Sequence, residues 1–173
     1  KFVQFLTPRD MSTCSVNQCK YVLVTDEVGG IICDPIILKL AADRFWISTS
    51  DCDLELWAKG VAVNAPFNKV RIRDANVSVI QIQGPKSPHL MKAMFGDKIL
   101  DLKYYWHTIV EFQGGELRVS RTGWSGEFGY ELYLEHPEQG DTLFDALLKA
   151  GEPYGVAPGA VNQTRRIESG ILS

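Results

Sequence analysis

Residues 121–133 read R-T-G-W-S-G-E-F-G-Y-E-L-Y, and no other stretch narrows the fold as much. Gly123, Gly126 and Gly129 recur at every third position, and an alternating run at 130–134 follows directly. A period of two is the mark of a strand with two different faces. Glu131 and Tyr133 share one face, and Leu132 and Leu134 the other. Spacing alone supports a plain reading: a glycine-rich turn feeding a half-exposed strand, with the leucines on a core and Glu131 in water. A sharper reading is a binding wall, in which a carboxylate and a phenol stand beside a loop carrying Trp124. A phosphate-cradling loop is excluded. It needs glycines that open a helix whose N-terminal N–H groups face the anion, and here a strand follows.

The rest of the chain supplies hairpins and short helices in irregular alternation. Residues 1–9 read as the end of a helix that closes at Thr7-Pro8. A strand is expected over 19–25, with Tyr21, Leu23 and Thr25 on one face, and the turn at 26–30 ends in Gly29-Gly30, a hairpin signal. The returning strand starts at Ile31 and resumes over 36–40 after Asp34-Pro35, because proline donates nothing to a ladder. Further strands are expected at 44–49, 70–72 and 77–82, and a hairpin joins 106–112 to 117–120 across Gly114-Gly115. One helix starts at Ser50-Asp51 with Leu54, Trp57, Ala58 and Val61 as its stripe. A second has Pro85 in its first turn and Leu90, Met91, Met94 and Phe95 inward. A third is opened by Pro137, carries Leu143, Phe144, Leu147 and Leu148 on one side, and ends at Gly151. A last helix over 161–171 bears Arg165, Arg166 and Glu168. The pattern predicts an α+β fold with mixed, largely antiparallel sheets and packed helices, rather than a doubly wound parallel sheet. No linker composition interrupts it, so one body is expected, built from two intertwined sub-domains.

The chain of 173 residues is 45% hydrophobic and 23% charged, with a net charge of -3. That is the make-up of a soluble globular protein without the basic patch of a nucleic-acid binder. No apolar run approaches the ~20 residues of a membrane-spanning helix. The expected partners are therefore small molecules, with no nucleic acid and no membrane. Cys14, Cys19, Cys33 and Cys52 form no C-x-x-C pair and have no histidine cluster nearby. This argues against zinc and makes thiols in a cytoplasmic protein the simplest reading. The chain opens at Lys1 inside an apolar run and stops at Ser173 just after a helix, as expected of an internal piece of a longer protein.

Four stretches together carry a resemblance: G-G-I-I-C-D-P-I-I from Gly29, V-I-Q-I-Q-G-P-K-S from Val79, the glycine-rich stretch from Arg121, and R-R-I-E-S-G from Arg165. In order, they are similar to G-G-x-x-D-D, x-x-x-Q-G-P, R-T-G-Y-T-G-E-x-G-[FY]-E and R-L-E-A-G. These are motifs of the tetrahydrofolate-binding aminomethyltransferase superfamily, whose best-known member is the glycine cleavage T protein. The similarity runs over nearly the whole chain. Two departures stand out: Cys33 replaces the first aspartate of D-D, with Asp34-Pro35 after it, and Trp124 replaces the tyrosine of R-T-G-Y. Together with W-I-S-T-S-D-C-D, Q-G-P-K-S and R-I-E-S-G-I-L-S, they look more like the dimethylsulfoniopropionate demethylases. That branch resembles the T protein in fold and uses tetrahydrofolate as methyl acceptor. The resemblance implies a T-protein-like folate-binding fold, of which residues 1–173 form the central part, without the family's N-terminal segment and C-terminal barrel.

The resemblance also implies roles. Asp34 matches the catalytic aspartate, Glu131 the pterin-binding glutamate, and Tyr21 the tyrosine flanking the reacting edge of the folate. Trp124 and Tyr133 resemble positions lining the folate or donor pocket, and Arg166 matches an arginine able to meet a folate carboxylate. Read without it, Asp34 is a turn aspartate before proline. Tyr21 is then a half-buried strand tyrosine, Trp124 and Tyr133 are core packing, and Arg166 makes a surface ion pair with Glu168 or a neighbour. Ser50, Asp51 and Arg165 are weaker candidates with open roles. His89, His107 and His136 read as surface or packing residues, and Lys86 as solvated. The implied activity is tetrahydrofolate-dependent methyl transfer from a sulfonium donor. Aminomethyl transfer, aryl-methyl-ether demethylation and a non-catalytic folate-binding module are the alternatives. Tetrahydrofolate is the implied cofactor, a small-molecule methyl donor the partner, and a homodimer is compatible with the sequence.

Overall fold

The computed structural model describes residues 1–49, 52–67, 69–160 and 163–171. The chain divides into two compact units, one up to Ala75 and one from Asn76 onward. The class is α+β, and every strand pairing is antiparallel.

In the first unit, α1 (Phe2–Leu6) stops where Thr7 turns extended, with φ of -136° and ψ of 142°. The ring of Pro8 forces that conformation on its predecessor. The expected strand over 19–25 is split into β1 (Cys19–Tyr21) and β2 (Val24–Thr25), and its return is split into β3 (Ile31–Cys33) and β4 (Ile36–Lys39). The two breaks face each other, with Pro35 as their cause. Its nitrogen has no hydrogen for the ladder, and its carbonyl accepts the Val22 N–H at 3.0 Å across the gap. Between β2 and β3 the Asp26 carboxylate accepts the N–H groups of Val28 at 3.0 Å and Gly30 at 2.6 Å, closing the turn. β4 pairs on its other side with β5 (Phe45–Ser48), giving the order β1-β4-β5. α2 (Leu54–Asn64) buries Leu54 and Ala58. Ser50 and Asp51, the expected helix start, lie outside the described residues. Residues 70–72, expected as a strand, belong to no ladder. Two apolar residues between Lys69, Arg71 and Arg73 leave too little surface to hold a strand on a core.

The cysteines correct the expectation of four thiols. Cys33, at the end of β3, is bonded to Cys52, just before α2, across a Cα–Cα distance of 6.2 Å. Cys14 and Cys19 are buried outside this disulfide. A separation of 19 residues gives no sequence signal; the pairing depends on where the end of β3 and the start of α2 lie in the fold.

The second unit is a four-stranded sheet in the order β6-β9-β8-β7, built from β6 (Ser78–Gln83), β7 (His107–Phe112), β8 (Gly115–Ser120) and β9 (Gly129–Leu134). β7 and β8 join through Gln113 and Gly114, with φ of 53° and 75°. Two consecutive left-handed residues make the primed turn that matches strand twist. One sheet face carries Ile82, Leu117, Val119, Tyr130, Leu132 and Leu134 into a core shared with Leu90 and Met91 of α3 (Ser87–Phe95) and Leu143 and Leu147 of α4 (Gly140–Gly151). Burial of each such side chain contributes about 1.5–3 kcal/mol before entropy is counted. Three local expectations shift. Pro88, not Pro85, occupies the first turn of α3. Pro137 opens a short 3-10 turn ahead of α4. Phe144 is exposed although its spacing fits the buried stripe. A short α5 (Gln163–Glu168) closes the unit.

Candidate functional site

β9 is buried at all six positions, so the half-exposed strand expected from alternation is corrected. Its apolar face meets α3 and α4. Its other face carries Glu131 and Tyr133, only 5% and 2% exposed. Strand register then builds a polar row across the whole sheet. Gln81 of β6 stands opposite Glu131, Glu131 opposite Ser120 of β8, and Ser120 opposite His107 of β7. On the next row Tyr133 stands opposite Arg118, whose guanidinium reaches Nδ1 of His107 at 3.0 Å.

The Glu131 carboxylate is held from three sides. Its Oε1 accepts from Gln81 Nε2 at 2.9 Å, and its Oε2 accepts from Tyr133 Oη at 3.2 Å and from the Thr122 hydroxyl. Thr122 is in turn in contact with the Ser120 hydroxyl. Burial pushes the Glu131 carboxyl above its ordinary value, and the bonds from Thr122, Tyr133 and Gln81 pull it partly back. A carboxylate offers about four acceptor positions, and three are used here. The remaining position is on Oε1 and suits an N–H donor of a ligand.

The glycine-rich loop is organised around Gln83. Its Nε2 donates to the carbonyls of Thr122 at 3.3 Å and Tyr130 at 3.2 Å, and its Oε1 accepts from Ser125 Oγ at 2.8 Å. The side chain passes between Gly123 and Gly129, where a Cβ would stand 2.1 and 2.4 Å from it. Gly126 adopts a left-handed φ of +70° and sits against Ser169, whose hydroxyl donates to the Ser125 carbonyl at 3.1 Å. Gly123→Ala or Gly129→Ala is therefore expected to destabilise the protein by about 1–3 kcal/mol through overpacking. Combining either with Gln83→Ala should recover part of that loss in a denaturant double-mutant cycle. Simple additivity would show that Gln83 is not what the glycines accommodate.

Trp124 rides on this loop half-buried, with the Arg166 guanidinium 5.7 Å from its ring centre. Arg166 does not make the surface pair with Glu168 expected from spacing. It donates from Nε to Gln163 at 2.8 Å and from Nη1 to the carbonyl of Ile171 at 2.9 Å. Arg165 instead pairs with Glu127.

Tyr21 and Asp34 belong to the first unit. Asp34 sits at the proline break between β3 and β4, and Tyr21 Oη donates to its Oδ2 at 3.0 Å. The Tyr21 phenol is pushed up to about 12, first by burial and then by the hydrogen bond and charge of Asp34. It stays a neutral donor at physiological pH.

Sequence reasoning left out Gln81, Gln83, Ser120, Thr122 and Arg118, and gave His107 no partner. The signal for the first four was parity. Positions 81 and 83 alternate on one face of β6, and 120 and 122 alternate after β8 toward the face of Glu131. Neither pair was tied to Glu131 without the register.

A sheet packed by helices on one face and lined by a buried, hydrogen-bonded carboxylate on the other fits a small-molecule binding domain, and the chain belongs to the GCVT N-terminal domain family, whose model matches residues 1–173. It is 39% identical over 173 residues to the dimethylsulfoniopropionate demethylase DmdA of Ruegeria pomeroyi, a match covering 100% of this chain and 47% of that protein. It is 30% identical over 175 residues to an aminomethyltransferase of Caldanaerobacter subterraneus subsp. tengcongensis, covering 98% of this chain and 46% of that one. Among solved structures, the glycine cleavage system aminomethyltransferase T of Bartonella henselae superposes with a TM-score of 0.72 at 20% identity, over 85% of this chain and 39% of that chain. That likeness speaks for the fold. The chain spans about half the length of the curated relatives it matches.

Proposed function

We propose that residues 1–173 form the central part of the folate-binding domain of a tetrahydrofolate-dependent methyltransferase. In this reading it takes a methyl group from dimethylsulfoniopropionate and yields 5-methyltetrahydrofolate and a thioether acid. The observation that carries the folate reading is the buried Glu131 carboxylate, held in place by Gln81, Thr122 and Tyr133. The pterin edge offers an N–H and an amino group side by side; Oε1 accepts one in its open position and the other in place of Gln81 Nε2, which is on an exposed residue. The similarity to DmdA over the whole chain supports the sulfonium donor.

Tetrahydrofolate supplies the nucleophilic N5 that accepts the methyl group. Glu131 orients the pterin by its edge, with Tyr133 and Thr122 holding Oε2. Trp124 and Arg166 line the loop side of the binding region, where the indole face attracts a cation and the guanidinium meets a carboxylate. A sulfonium is already a good leaving group: the carbon–sulfur bond breaks with its electron pair going to sulfur, so no acid is needed there. Asp34, hydrogen-bonded by Tyr21, takes or relays the proton that the acceptor nitrogen gives up. Most of the rate then comes from alignment of donor and acceptor. A cytoplasmic setting belongs to the same reading.

The test is to incubate the full-length protein with tetrahydrofolate and dimethylsulfoniopropionate and identify the folate product by mass spectrometry. 5-Methyltetrahydrofolate is expected. Binding of tetrahydrofolate without methylfolate would sink this donor, and 5,10-methylenetetrahydrofolate from an aminomethyl donor would move the chain to the aminomethyltransferases.

A further inference from the structure

We propose that Ser120 and Thr122 are positioning residues for Glu131, a directed pair of hydroxyls that holds Oε2 and keeps the carboxylate an acceptor, so that Oε1 is the oxygen presented to a ligand. The inference rests on the folate reading of Glu131 and extends it to Ser120 and to the direction of the bonds through Thr122, a residue of the glycine-rich motif.

The direction follows from hydrogen counting. Ser120, Thr122 and Glu131 are 0%, 2% and 5% exposed, so water has little access to any of them. Thr122 has one hydroxyl hydrogen and donates it to Oε2. An ionised carboxylate only accepts, so in the Ser120–Thr122 contact the hydrogen comes from Ser120. The result is a one-way chain, Ser120 to Thr122 to Glu131, in which each bond polarises the next. Placing a proton on Oε2 reverses both bonds, so the charge of Glu131 and the orientation of two hydroxyls are coupled. Tyr133 adds a second donor to Oε2, while Oε1 is bonded to Gln81, which is exposed. A ligand therefore reaches Glu131 from the Oε1 side. The titratable and charged groups on this face are Tyr133 on the same strand, Arg118 and Glu116 on β8, and His107 and Glu111 on β7, the two glutamates standing opposite each other at the hairpin end; β6 contributes the neutral Gln81.

Two readouts on the full-length protein separate the chain from the folate reading. The first is the titration of the Glu131 carboxyl carbon by NMR, assigned by its disappearance in Glu131→Gln. The second is tetrahydrofolate affinity as a function of pH. Thr122→Val is expected to raise the carboxyl midpoint by about one pH unit and to weaken binding most on the acid side, with affinities converging at alkaline pH. Ser120→Ala should shift both in the same direction by less, and Thr122→Ser should restore wild-type behaviour. An unchanged midpoint in Thr122→Val, or an affinity loss equal at every pH, overturns the proposal. A shifted midpoint in a protein that does not bind tetrahydrofolate upholds the hydroxyl chain and removes the folate reading alone. If Thr122→Val fails to fold, Ser120→Ala carries the same test.

Discussion

Glu131→Gln is expected to weaken tetrahydrofolate binding by about 100-fold and, at neutral pH, to raise the thermal stability of the unliganded protein. The binding loss follows from replacing a charged double acceptor by an amide that offers one oxygen. A hydrogen bond to a charged group contributes about 1.5–3 kcal/mol, and the amide also points N–H against N–H. The stability gain follows from linkage. Burial raises the Glu131 carboxyl above its ordinary value of 4.5, so the fold favours the protonated acid. Its contribution to stability is complete below the unfolded value and is lost as pH rises through the folded one. Glutamine has no such loss. The melting temperatures of variant and wild type should therefore lie close together in acid and separate as pH rises past 4.5. Thermal melts across pH and calorimetric titration with tetrahydrofolate read both effects. Parallel melting profiles would contradict the linkage argument, and unimpaired binding would remove Glu131 from the site.

Asp34→Asn is the second large effect. In the full-length enzyme it should lower kcat by about 10²–10⁴, the range for a positioned acid–base group, while affinity for tetrahydrofolate changes little. A structural control is built into the hairpin. Tyr21 is held at about 12 by burial, then by its bond to Asp34, then by that residue's charge. The substitution removes the charge and weakens the bond, so the tyrosinate absorbance of Tyr21 should appear at lower pH. The sign is that of a raised folded value: the neutral Tyr21 phenol supports the fold below the ordinary value of 10.0, and that support is lost as pH rises through about 12. A fall in kcat together with an earlier tyrosinate transition fits the proposed pair. Unchanged kcat would show that Asp34 only terminates a strand before Pro35.

The two predictions draw on different amounts of sequence information. Asp34 and Tyr21 were legible as candidates because a motif carried them, and their meeting was nearly local, since a hairpin turn at 26–30 folds 21 back onto 34. Glu131 and Tyr133 were legible as a shared face, because alternation in a strand is a property of the backbone. That this face would be buried was not legible. Alternation with polar residues usually means water, and here the polar side chains bond to one another instead. The disulfide between Cys33 and Cys52 was likewise out of reach, because it depends on where α2 starts relative to the end of β3.

Local chemistry therefore determined the type and approximate place of most strands, turns and helices: proline broke ladders, glycine marked hairpin turns, and period-two runs made strands. It also carried the ordered motifs that place the chain in its family. Only the tertiary structure decided what surrounds the carboxylate. Gln81 and Glu131 are 50 positions apart, and Ser120 joins them in one row because β9 pairs with β6 on one side and β8 on the other. Inter-strand register is a collective choice, settled by packing Leu132, Val119 and Ile82 into one core. A one-residue slip would turn every polar group of the row into that core.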